Sequence, residues 1–143
     1  MTPESRTRLR EMTKRDEGCR LLPYHDSAEK LTIGYGHNLD KPLTQRAVNV
    51  IPDDDLADAV DDVRRSISWS KNLDDIRFAV LVAMAFNLGI GGLLKFKKML
   101  GAAAVRDFSL AADEMIASMW AGQVGKRANR LARLMRTGAW PPT

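Results

Sequence analysis

Apolar positions recur along most of this chain at the spacing of helix faces, and only once with the alternation of a strand. Leu56, Val60, Val63 and Ile67 fall on one helical face. They predict an amphipathic helix opening at Pro52, with Asp53, Asp54 and Asp55 in its first turn and Arg64-Arg65 near its end. That charge order complements the helix dipole. Residues 74–88 are apolar nearly all round and predict the central core helix, ended by Gly89-Ile90-Gly91-Gly92. Thr2-Pro3 opens a first helix, with Leu9 and Met12 as its apolar face and Gly18 as its stop, so Glu17 falls in the last turn. Thr44 caps a short helix running through Ile51. Helices over 93–101, 109–120 and 124–136 complete the set, closed by Thr137-Gly138-Ala139-Trp140. The one strand signal is Leu31-Thr32-Ile33-Gly34-Tyr35-Gly36-His37, which puts Leu31, Ile33 and Tyr35 on one face and Thr32 with the two glycines on the other. Pro23-Tyr24-His25-Asp26 and a polar turn through Ser27, Ala28, Glu29 and Lys30 precede it, so the β part is a small hairpin or ribbon.

A chain of 143 residues that is 45% hydrophobic and 28% charged has the material for one core. Cys19 is its only cysteine, which excludes an internal disulfide, and His25 and His37 make no zinc pattern. The charged N-terminus has no apolar segment of the secretory kind, and the stretch 76–88 is too short to span a bilayer. The expectation is synthesis in the cytoplasm with no encoded route out. The net charge of +4 is unevenly spread. Residues 121–143 carry five bases and no acid, whereas residues 40–75 carry nine acids against five bases. The basic C-terminal stretch suits an anionic partner or, more simply, a solvated helix face.

The chemistry concentrates in the first quarter of the chain. Glu17, at the negative pole of a helix, is placed where its charged form is disfavoured, as a general acid requires. Asp26 follows in a polar turn that keeps it ionised, and Thr32 projects a hydroxyl from the start of the strand. A glycosidase needs one carboxylic acid to protonate the leaving oxygen and one carboxylate to assist water or attack the sugar. Asp16 is an alternative acid at the same helix end, and surface acids at a helix end and a turn are the plain alternative to any catalytic role.

Three motifs in register narrow this. Arg15-Asp16-Glu17-Gly18, Leu22-Pro23-Tyr24-His25-Asp26 and Leu31-Thr32-Ile33-Gly34-Tyr35-Gly36-His37 together resemble the signature of the phage-type lysozymes, the muramidase endolysins of glycoside hydrolase family 24. The resemblance extends through Phe86-Asn87-Leu88-Gly89, Trp120, Arg127-Ala128 and Arg136-Thr137-Gly138-Ala139-Trp140, and so covers nearly the whole chain. It implies a mainly helical α+β fold. A small β lobe, roughly residues 18–52, is joined by a helix to a larger helical lobe, with the cleft between them. The first helix and roughly residues 66–143 make up that larger lobe, and residues 1–143 form a single lysozyme domain. By the same likeness Glu17 is the general acid, Asp26 and Thr32 position the attacking water, and the anomeric configuration inverts. His37 pairs across the lobes with a carboxylate, Asp58 being its candidate partner; Arg127 approaches Glu17; Phe86 and Asn87 line the sugar cleft. Only residues 38–51 lie between His37 and the amphipathic helix, where longer relatives carry a fuller β lobe.

The expected substrate is peptidoglycan, cut at the β-1,4 bond from N-acetylmuramic acid to N-acetylglucosamine, with no cofactor and no metal. The expected setting is phage-driven lysis, with release to the periplasmic wall through a holin pore, no stable membrane insertion and a monomeric chain. Two rival readings are a lytic transglycosylase, which leaves an anhydro end, and a non-catalytic basic module binding cell wall or nucleic acid. No nucleic-acid motif accompanies the charge, so nucleic acid is not an expected partner.

Overall fold

The computed structural model describes residues 1–143, the side chain of Met119 excepted. The chain forms two compact units, Met1–Asn49 and Val50–Thr143. The first holds helix α1 (Pro3–Glu17) and an antiparallel sheet of β1 (Arg20–His25), β2 (Leu31–Gly34) and β3 (His37–Asn38) in that order. Helix α1 thus shares a unit with the sheet.

Helix α1 begins as expected: the Thr2 hydroxyl accepts from the Ser5 N–H at 3.1 Å and Pro3 occupies the first helical position. Gly18, at φ 66°, stops it and donates its N–H to the Lys14 carbonyl. The predicted alternation over 31–37 is not one strand. Gly34 and Gly36 both take positive φ, so β2 ends at Gly34, the chain turns at Tyr35-Gly36, and His37 starts β3 opposite Ile33. Only glycine makes such a turn at no steric cost. Strand β1 was hidden in the sequence by Pro23. That proline is tolerated because β1 is an edge strand, and its register slips between Arg20 and Tyr24. The last turn of α1 meets the β2–β3 turn at two places, with Lys14 Nζ 5.5 Å from the Tyr35 ring centroid and Glu17 against Gly36.

Helix α2 (Gln45–Ser66) corrects the expected break at Pro52. Thr44 does cap it, its hydroxyl accepting from the Ala47 N–H, but the helix then runs through the proline without interruption. A proline removes one hydrogen bond and crowds the preceding turn, and 22 residues of helix carry that local cost.

The second unit packs the core. After a 3-10 turn (Ser68–Asn72) come α3 (Asp75–Leu94), α4 (Lys97–Ala104), α5 (Phe108–Ala117), α6 (Met119–Val124) and α7 (Lys126–Thr137). Asp74 caps α3 by accepting from the Arg77 N–H at 3.0 Å. Gly89 breaks the helix where the sequence predicts, at φ 72° and ψ 162°. By length and composition α3 could cross a membrane, yet Val80, Leu81 and Met84 are fully buried among Val63, Met99, Met115 and Met135, which makes it a core helix. The single helix expected over 109–120 is two, because Ser118 ends α5 and caps α6 by accepting from Ala121 N–H.

Arg77 ties α3 to the end of α7. It donates to the carbonyls of Met135 (2.7 Å) and Arg136 (2.9 Å), pairs with Asp74 at 2.9 Å, and lies over the Phe108 ring 3.7 Å from its centroid. Burial pushes the Asp74 carboxyl up. Hydrogen bonds from the Arg77 N–H and guanidinium, and the Arg77 charge, outweigh this and hold it below its ordinary value.

Candidate active site

Glu17, Asp26, Thr32 and His37 all lie in the first unit. Glu17 is the last residue of α1, and its carboxylate lies against Gly36: a Cβ placed there would sit 2.9 Å from Oε2. Asp26 opens the turn between β1 and β2. Its Oδ1 accepts from the N–H groups of Ala28 (2.9 Å) and Lys30 (2.8 Å), while its own N–H donates to the Lys30 carbonyl at 3.0 Å. One carboxylate oxygen is thus held by two donors. Oδ2 makes no hydrogen bond among the described residues.

Thr32 is buried, at 3% exposure, in an otherwise open strand. Its hydroxyl donates to that same Lys30 carbonyl at 2.8 Å. A hydroxyl has one proton and two lone pairs, so toward any further partner Thr32 can only accept. Lys30 acts through its main chain, which no side-chain pattern reveals. His37 lies at the start of β3, and its Nε2 is buried with no hydrogen-bond partner among the described residues.

Phe86, Asn87 and Arg127 lie in the second unit. They line a groove of about 640 Å³ together with Arg130, Leu131 and Trp140. Phe86 is half exposed, and Asn87 Oδ1 accepts from the buried Trp120 indole N–H at 2.9 Å. Trp120 in turn meets Phe96 edge-on, with ring centroids 5.9 Å apart. A second groove of about 840 Å³, absent from the sequence reading, runs past Lys95, Lys97 and Lys98 over Phe96, Met99 and Trp120. An apolar and aromatic lining with a few polar groups is the usual make-up of a small-molecule site.

Comparison with known proteins identifies the family. The phage lysozyme family model matches residues 14–137. Two proteins of Dictyostelium discoideum, probable T4-type lysozymes 1 and 2, are each 28% identical over 91% of this chain and 94% of their own length. The pre-baseplate central spike protein Gp5 of Enterobacteria phage T4 is 29% identical over 91% of this chain, which spans 28% of that larger protein. The chain belongs to the phage lysozyme family. Its α+β fold is lysozyme-like, and it is a glycosidase of the lysozyme type acting on peptidoglycan of the bacterial cell wall.

Proposed function

We propose that the chain hydrolyses the β-1,4 bond between N-acetylmuramic acid and N-acetylglucosamine with inversion, using Glu17 as general acid and an attacking water held by Asp26 and Thr32. The proton of Glu17 passes to the departing glycosidic oxygen. The water adds to the anomeric carbon and gives its proton to Asp26, and exchange with solvent restores both groups.

The observation that carries this reading is the shared anchor at Lys30. It fixes Asp26 with Oδ2 unspent and Thr32 as an acceptor only. A water donating one hydrogen to each has its lone pairs left for the anomeric carbon. Two acceptors set the direction of attack, which a single acid would leave open. Asn87, fixed by Trp120, keeps its amide N–H groups for the glycan, and Phe86 offers a stacking face. Arg127 contributes positive charge, and His37 is a structural support whose Nε2 is buried without a hydrogen-bond partner among the described residues. The two-lobed chain works as a single monomeric lysozyme domain. It is made in the host cytoplasm and reaches the periplasmic wall through a holin, serving lysis of the host.

Digestion of purified peptidoglycan by the wild type and by Glu17→Gln, with mass spectrometry of the products, tests the chemistry. New reducing ends from the wild type and none from the variant are expected. Anhydro ends would make it a lytic transglycosylase, and full activity of Glu17→Gln would remove Glu17 from the reaction. Fractionation of cells with and without a holin tests the delivery route.

A further inference from the structure

We infer that Gly36 is a positioning residue for the Glu17 carboxylate, because the space a side chain would take at position 36 is the space the carboxylate occupies. This rests on the proposed role of Glu17. A Cβ at Gly36 would meet Glu17 Oε2 at 2.9 Å, Cδ at 3.2 Å and Cγ at 3.6 Å. The struck group is the free end of a flexible side chain, so the carboxylate would give way while the backbone stays in place. The β2–β3 turn therefore sets where the acid stands, and the missing Cβ keeps that place open.

The same turn holds its own control. Gly34 has φ 66° and Gly36 has φ 75°, so an alanine at either is strained by a similar backbone conformation. A Cβ at Gly34, however, meets nothing within 4 Å. Gly34→Ala thus pays for the backbone alone, and Gly36→Ala adds the collision with Glu17.

The experiment compares these two variants with the wild type by steady-state muropeptide release and by the ¹³C chemical shift of the Glu17 carboxyl. A misplacement of about 1 Å at a reacting group costs roughly 10²-fold in rate. Gly36→Ala is expected to lose kcat on that scale with KM nearly kept, and to move the Glu17 carboxyl resonance. Gly34→Ala is expected to keep both. Where Gly36→Ala folds poorly, Gly36→Asn replaces it, since asparagine accepts positive φ more readily while still bringing a Cβ. Equal loss of kcat in the Gly34 and Gly36 variants, or an unmoved Glu17 resonance, would overturn the inference. If the wild type releases no muropeptides, the catalytic reading fails instead, and the resonance still decides the contact.

Discussion

The indole N–H of Trp120 is spent on the amide oxygen of Asn87, 2.9 Å away, although Asn87 itself is exposed and Trp120 is only 4% exposed. A surface side chain thereby satisfies a core donor. Asn87→Ala would leave that N–H buried and unpaired, at a cost of about 1–3 kcal/mol. Asn87→Asp, which keeps an acceptor, is expected to recover most of it. Urea unfolding of the two variants checks the difference, and both should bind glycan more weakly than the wild type.

Thr32 can be tested apart from its packing. Thr32→Val keeps the branched shape but removes the hydroxyl, and the Lys30 carbonyl still accepts from Asp26 N–H. Stability should fall by about 1 kcal/mol. Peptidoglycan turnover should fall by roughly 10²-fold, since the water loses one of its two acceptors. Thr32→Ser is expected to retain most activity. A Thr32→Val enzyme with wild-type kcat would remove the hydroxyl from the mechanism.

Asp26 separates scaffold from charge. In Asp26→Asn the amide oxygen can still accept from Ala28 and Lys30, so the unfolding midpoint should hardly move. The base is gone, and kcat should drop by about 10²-fold or more. Asp26→Ala also loosens the turn, but the freed N–H groups are exposed and turn to water, which keeps the stability loss near about 1 kcal/mol.

The fold was legible in the sequence wherever local signals and packing agreed. Thr2, Thr44 and Gly89 cap or break helices where their chemistry says they should. The misses have physical causes. Pro52 reads as a helix start, yet an α-helix of this length runs straight through it. Alternation over 31–37 cannot reveal that Gly34 and Gly36 turn the strand. Of the candidate site, side-chain chemistry left Glu17 and Asp16 as alternative acids beside Asp26, and the family resemblance singled out Glu17, Asp26 and Thr32. The main-chain anchor that joins the last two was invisible, since any residue but proline supplies it.

Acid stability offers a further check on the second unit. Because Asp74 is held below its ordinary value of 3.8 when folded, its ion pair stabilises the protein above that value. The contribution is lost as pH falls through the lower, folded value. Asp74→Asn keeps a capping oxygen without the charge. The wild type is therefore expected to be the more stable of the two at neutral pH, and the gap should close as the medium is acidified below about pH 4. Denaturation midpoints measured across that range give the sign directly.

Position 30 is where the chain is free to drift without disturbing its candidate chemistry. Asp26 and Thr32 meet on the main chain of one residue, with the Lys30 N–H donating to Asp26 and its carbonyl accepting from both, while the lysine side chain takes no part in that anchor. The alphabet open to this residue is therefore wide, and its one forbidden letter is proline, which has no N–H to give.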